Sequence, residues 1–472
     1  MGSRAPRPAP GSLLSHPSNP AAAYLARNAE PEARAADLFD AEFGHALEIP
    51  AYGERAALFR TLDSIPTGPR GEVLVVLVLN AREDSPPEVH EANREARARL
   101  ETLAPEIAVV SETPRTTLRP WRSGRLLLVD RAVPGAFIPE GQGVGLARKI
   151  GCDIILRLHD AGRVASPWIH CTDADVRLPP DYFEQLPADA DGSGLAAALY
   201  FFEHDLEGDE DLARAARVYE ISLRYTVLGL AWAGSPYAYQ SMGSCLAVRA
   251  DAYAGIGGFP RRDALEDFHA LNLLAKVGSI ARLAGAPVRL QGRLSDRVPI
   301  STGTALGEMV AAGPRGRRRS LLYHPAVLAH LGAWLRVIAA IARSRGDVAH
   351  GLGQLPRANP FFRSDLLEET LGSMGAFAEV REALAQSTDE RALFARLHGW
   401  FDAVRTARLL EALCDGGLPS LPWREAIKEA PFTGLSGSTE EDDEALRQAL
   451  AAQERKLAVT PAGVASLEWE DA

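Results

Sequence analysis

Paired cysteines are missing from this chain. Its four, Cys152, Cys171, Cys245 and Cys414, are scattered without any Cys-x-x-Cys spacing. That argues against a zinc ribbon and a disulfide framework, and it fits a reducing cytosol. An excess of positive charge is missing too. Lys and Arg total 51 against 62 Asp and Glu, a formal net charge of -11. A general nucleic-acid binder carries a basic surface, so that class is set aside, although a local basic pocket for phosphates is still compatible with the balance. No uninterrupted apolar stretch is long enough to span a bilayer; the nearest, Ala326 to Ala342, is broken by His330 and Arg336 and reads as a buried or amphipathic helix. Met1 to Asn19 is rich in Pro, Ser, Gly and Arg without an apolar segment, so no signal peptide is read there. The expectation is a cytoplasmic protein with no transmembrane segment, peripheral membrane contact being open. No solenoid-type repeat is present.

What is present is a chain of 472 residues, 46% of them hydrophobic. That suffices for one large core and an accessory region. Residues 1–36, Pro- and Ala-rich without a clear period, read as a disordered segment. Residues 37–320 read as the main domain, 321–432 as a mainly helical region, and 433–472 as an acidic, mobile tail. Within the main domain, strand-like and helix-like runs alternate. His45 to Ile49 is a candidate strand stopped by Pro50. Glu72 to Leu79 is a continuous β-branched and Leu run, the pattern of a parallel strand covered on both faces. Arg125 to Val129 is a further strand closed by Asp130, and Val144 to Ile150 begins a helix. The rhythm predicts an α/β fold with a mostly parallel sheet flanked by helices. Ligands gather at the carboxyl ends of such strands.

One strand-like run ends in a particular way: Trp168-Ile169-His170-Cys171-Thr172-Asp173-Ala174-Asp175. Residues two apart on a strand point the same way, so Asp173 and Asp175 are expected to lean into one pocket. Two carboxylates that close repel, and a divalent cation removes the conflict. A solvated turn is the other reading. Four more segments bear on this one. In Ile49-Pro50-Ala51-Tyr52-Gly53-Glu54, Tyr52 suits a nucleobase and Glu54 a ribose hydroxyl, or the segment is an ordinary strand-to-helix turn. In Gly141 to Lys149, glycines let a ligand approach the backbone, and Arg148 and Lys149 add positive charge. In Gln240 to Arg249 and Gly255 to Phe259, a Gly-Ser turn with Gly243 and Ser244 and a Gly-Gly-Phe loop with Gly258 and Phe259 suit an acceptor wall. Glu266 and Asp267 open a helix, either as helix-dipole partners or with one as a general base.

Taken in order, Ile-Pro-Ala-Tyr-x-Glu, a strand with a polar end at Asn80, Gly-x-Gly-x-x-Ala-Arg, Asp-Ala-Asp, Gly-Gly-Phe and Glu-Asp resemble the family 2 glycosyltransferases of GT-A fold. The resemblance spans Ala46 to Gly285. It implies that Pro50, Ala51, Tyr52 and Glu54 lie at the nucleotide, with Asn80 near its base edge. It implies that Asp173 and Asp175 hold Mg²⁺ or Mn²⁺ on the donor diphosphate, and that Asp267, beside Glu266, deprotonates the acceptor. It implies a nucleotide-sugar donor, a hexosyltransferase activity and inversion. Two departures stand out: Gly53 replaces the usual Asn, and Asn80-Ala81-Arg82 stands where acidic residues are common. A nucleotidyltransferase of similar fold and a non-catalytic sugar- or partner-binding relative are the alternatives. Donor sugar, acceptor and oligomeric state are not specified by the sequence. Gly292-Arg293-Leu294-Ser295-Asp296-Arg297 finds no place in this scheme and reads as a loop over phosphates or as a solvent loop.

Overall fold

The computed structural model describes residues 20–38, 40–122, 124–186, 194–206, 209–294, 302–312, 321–353, 362–435, 442–459 and 462–464. The chain forms β1 (His45–Ala51), β2 (Val73–Asn80), β3 (Ala108–Glu112), β4 (Arg115–Trp121), β5 (Gly124–Arg131), β6 (Trp168–Cys171), β7 (Val176–Arg177), β8 (Leu195–Leu199), β9 (Phe202–Asp205), β10 (Leu246–Arg249), β11 (Ser279–Arg282) and β12 (Val288–Gln291). Nine of these make one sheet in the order β11-β8-β10-β6-β1-β2-β5-β4-β3. Only β4 and β10 run against the rest, so the sheet is mostly parallel. Every residue of β1 and β2 is buried, because helices cover both faces. A small second sheet, β7-β12-β9, sits beyond the acidic pair.

Three expectations change. β1 does not stop at Pro50 but runs on to Ala51, with Pro50 opposite Val78 of β2. A proline fits there because β6 pairs β1 only as far as Glu48, so no neighbour on that side needs its missing N–H. Residues 20–36 are not disordered. Helix Pro20–Arg27 and the 3₁₀ turn Pro31–Leu38 pack on the helix Gly143–Asp160, with Tyr24 buried and its hydroxyl donating to Asp153 Oδ1 at 2.7 Å. The tail is not mobile over 443–456. Helix Asp443–Lys456 packs on the helix Glu210–Trp232, and buried Arg447 donates to Glu220 Oε1 at 2.7 Å. Beyond it, Ala462 exchanges backbone hydrogen bonds with Ile280 of β11. The antiparallel hairpin β3–β4 carries no strong strand signal in the sequence and is new.

The C-terminal region is helical and has its own apolar core, centred on the helix Pro325–Ser344 and shared with Glu210–Trp232. Pro325–Ser344 is long and apolar enough to cross a membrane, but 83% of that stretch is buried among the neighbouring helices. His324 caps this helix and accepts from the Ala326 N–H through Nδ1 at 3.0 Å.

Candidate active site

The site is built around one buried guanidinium. Arg148 stands on the first turns of the helix Gly143–Asp160 and is 1% exposed. It reaches Glu48 of β1 at 3.1 Å, Asp173 at 2.7 Å and Glu266 at 3.1 Å. Three elements far apart in sequence are thereby tied together. A lone buried cation costs several kcal/mol, so three carboxylates around one guanidinium is the arrangement that makes its burial tolerable. Burial nevertheless wins at Glu48: its carboxyl is raised well above the usual range despite Arg148.

Asp173 lies just past the end of β6. The Thr172 hydroxyl anchors that exit by donating to the Ser244 carbonyl at 2.8 Å. Asp173 stays 39% exposed at its side chain and Asp175 29%. The Asp173 carboxyl sits above its ordinary range, first through burial and further through Asp175 and Glu266, with Arg148 opposing. The Asp175 charge thus acts on Asp173. Arg293, just beyond β12, donates from Nε and Nη2 to Asp175 Oδ2 at 3.0 and 2.7 Å and also pairs with Glu54.

The helix Glu266–Val277 begins after Leu265, a non-glycine residue in the left-handed region at φ 62°. Such a backbone is costly and persists only where the surroundings enforce it. Here it turns the first helical residues toward Arg148. Asp267 accepts from the Gly243 N–H through Oδ2 and from the Phe268 N–H through Oδ1, both at 2.7 Å. Burial, then the neighbouring Glu266 charge, pushes its carboxyl up to about 7. A carboxylate titrating near neutrality is suited to accepting a proton at physiological pH.

Not every expected residue arrives. Lys149 turns away from Asp173, donating to Asp153 Oδ2 at 2.7 Å and to the Asn28 carbonyl at 2.9 Å. Adjacent helical residues point about 100° apart, so Arg148 and Lys149 cannot serve one pocket. Arg148 itself is spent on carboxylates and does not face outward. Asn80 is 3% exposed, and its amide nitrogen donates to the Ala51 and Val78 carbonyls at 3.0 and 3.3 Å, not to open space. Phe259 is 2% exposed, under Arg148, and a Cβ on Gly258 would meet the Tyr24 hydroxyl at 2.2 Å. Both belong to the core and not to an acceptor wall. Gly243 and Ser244 do reach the site, through backbone groups. Gly143 and Gly145 serve packing: a Cβ on Gly143 would lie 2.6 Å from Asp263 Cα and one on Gly145 2.3 Å from the Pro260 carbonyl. Tyr52 is half-buried and donates to Ser85 Oγ at 3.1 Å, beside Glu54. Pro50 and Ala51 are buried at the end of β1.

Glu48 and Arg293 are the functional-region residues that the sequence reading left without a role. Glu48 lay inside the first strand, and Arg293 in the unplaced segment, whose Ser295, Asp296 and Arg297 fall outside the described residues. Among the described residues, Glu48, Cys152 and Cys171 bring one ligand atom each within 4.8 Å of one another. The guanidinium of Arg148 already supplies that buried spot with positive charge, so a cation has no electrostatic place there.

No protein-family model matches the chain, and no curated protein does. Among solved structures it is similar to S. aureus TarS 1–349, at 10% identity over 89% of this chain and 91% of that one, with a TM-score of 0.33. The same protein in complex with UDP-GlcNAc gives 11%, 89%, 91% and 0.33. The mannosyltransferase PcManGT of Pyrobaculum calidifontis, in complex with GDP-Man and Mn2+, gives 15%, 80%, 93% and 0.29. Scores this low establish neither a shared family nor a shared chemistry, and the function has to follow from this chain's own side chains.

Proposed function

We propose that this chain is a nucleotide-sugar-dependent glycosyltransferase of GT-A type, most similar in its motifs to family 2, and that it transfers a hexosyl group with inversion. The observation that carries the reading is that Arg148 holds Asp173, just past the carboxyl end of β6, together with Glu266 from a distant helix, while the charge of Asp175 acts on Asp173 and that of Glu266 on Asp267.

Asp173 and Asp175 offer hard carboxylate oxygens that are partly open to solvent, the donor type that Mg²⁺ and Mn²⁺ take. Burial first, and the Asp175 charge in addition, raise the Asp173 carboxyl, and positive charge at the pair opposes both. A cation held there would supply Lewis-acid assistance to the departing diphosphate. Arg148 fixes Asp173 and Glu266 in place as a positioning residue. Tyr52 and Glu54, at the end of β1, stand on the side where the nucleoside would lie. Asp267, braced by two backbone N–H groups, would accept the proton of an acceptor hydroxyl. As it does, the hydroxyl oxygen bonds to the anomeric carbon, and the bond from that carbon to the diphosphate breaks with its electron pair going to the phosphate. A single displacement inverts the carbon.

A thermal-shift screen of nucleotide sugars, each with and without Mn²⁺, tests this reading. A true donor raises the melting temperature by mass action, and only with the metal. No shift from any uridine, guanosine or thymidine diphosphate sugar would contradict it.

A further inference from the structure

We infer that Arg293 is a built-in counter-ion that holds the donor site closed to metal: it neutralises Asp175 and Glu54 and must be displaced before a divalent cation can bind. The inference rests on the metal-site reading of Asp173 and Asp175 and deepens it.

The position of Arg293 follows from the backbone. β7 begins immediately after Asp175, and β12 ends two residues before Arg293. The two strands are antiparallel, with Leu290 opposite Val176 and Arg289 opposite Arg177. Continuing that register sets Gln291, the last residue of β12, opposite Asp175, two residues short of Arg293. A short hydrogen-bonded turn, Arg293 N–H to the Gln291 carbonyl at 3.0 Å, then aims the side chain. β12 also pairs with β9, so the strand delivering Arg293 is held on both sides. The contact is therefore fixed by a sheet and is not the chance reach of a long surface side chain.

The chemistry of the contact is also specific. Two guanidinium nitrogens converge on the single oxygen Oδ2 of Asp175, and one of them also pairs with Glu54. Glu54 is 7% exposed at its side chain, Asp175 29% and Arg293 31%. A partly buried pair of this kind is screened far less than a surface one. Asp173 is meanwhile held by Arg148. Each carboxylate of the pair thus has its own arginine, but the two differ. Arg148 is locked in the core by three acids, whereas Arg293 is held by two and is partly open to solvent. A cation on Asp175 and a guanidinium on the same oxygen exclude one another by like charge. The stronger the arginine contact, the more metal is needed to open the site.

The test is Mn²⁺ alone, titrated into the full chain and followed by the loss of free Mn²⁺ signal in electron paramagnetic resonance. Arg293→Gln removes the charge and keeps a polar side chain. It is expected to bind Mn²⁺ about tenfold more tightly than the wild type, the size of one charge-assisted contact. Arg293→Lys keeps the charge and is expected to stay close to the wild type. Asp175→Ala is the control for the site itself and should remove uptake in every background. If Asp175→Ala fails to reduce uptake, the metal site is elsewhere and both readings fall. If Asp175→Ala abolishes uptake while Arg293→Gln binds no more tightly than the wild type, the metal site stands and the counter-ion role is overturned. Equal tightening by Arg293→Gln and Arg293→Lys would also overturn it, because charge would then not be the cause.

Discussion

Two side chains one position apart, Arg148 and Lys149, show how much is decided at single residues. Both are cations on the same helix turn, yet only Arg148 meets the site. Lys149→Met is expected to cost about 1–3 kcal/mol of stability, because the buried Asp153 carboxylate loses its counter-ion while keeping the donors Tyr24, Tyr253 and the Glu30 N–H, and to leave donor affinity and turnover as in the wild type. Calorimetric donor titrations of the variant check this, and weakened donor binding would show that Lys149 faces the site after all. Asp267 carries the sharper expectation. Its folded carboxyl titrates near 7, above the unfolded value, so the folded state holds that proton over the window between. Its contribution to stability is full below about pH 4 and is lost as pH rises through 7. Activity runs the opposite way, since the base works deprotonated: kcat/KM should rise with pH through about 7 and level off above it. Asp267→Asn should lower turnover by 10²-fold or more, remove that limb from the pH profile and change donor affinity little.

Among the elements, the helix Gly143–Asp160 and β1 set the geometry of the whole site through a very close approach. A Cβ on Gly151 would lie 2.3 Å from Glu48 Cγ, so the helix comes down directly onto the carboxylate that Arg148 holds. Gly151→Ala is expected to destabilise the protein by about 1–3 kcal/mol, as overpacking does, and to lower activity with it by prising Glu48 from Arg148. Urea unfolding reads the first effect. A stability equal to the wild type would mean that the helix can slide without cost. At this scale much of the fold was legible. The run Val73 to Leu79 announces a strand covered on both faces because nothing polar interrupts it. The acidic pair was legible as Asp-Ala-Asp after a short apolar run, but both residues lie in the turn between β6 and β7, where strand alternation no longer sets their direction, and each is held by a different arginine. The segment Pro20–Leu38 was not, because its short alanine-rich turns have little order of their own and depend on Tyr24 and Glu30 meeting Asp153 and on Asn28 meeting Lys149, over 120 residues away. Glu48 was hidden for a related reason. One acid inside an apolar run reads as a solvent-facing position, and only the tertiary placement of Arg148 shows otherwise. Phe259 and Gly258 have the reverse history: their motif was readable, but motifs do not say which side of the backbone is core.

At the scale of the whole molecule, the helix Glu210–Trp232 ties β9 to the helical core of the C-terminal region. Its Glu220 is fully buried and binds His204, Arg224 and Arg447, and those partners hold its carboxyl below the usual range against the pull of burial. Through Arg447 the C-terminal helix is fastened to the strand layer that carries Arg293. Arg447→Met should lower stability by about 1–3 kcal/mol. The loss should be read in an unfolding curve at neutral pH and should shrink on acidification, since Glu220 stabilises only while ionised. An unchanged unfolding midpoint would mean that the tail helix is held by apolar packing alone.

The central claim concerns what leaves the site. Incubation of the purified full chain with its nucleotide sugar should release nucleoside diphosphate when Mn²⁺ is present, and release should stop with a chelator or with Asp175→Ala, whose far-ultraviolet spectrum stays that of the wild type. Release of pyrophosphate instead, or release of nucleoside diphosphate that persists at the wild-type rate in Asp175→Ala, would contradict the account.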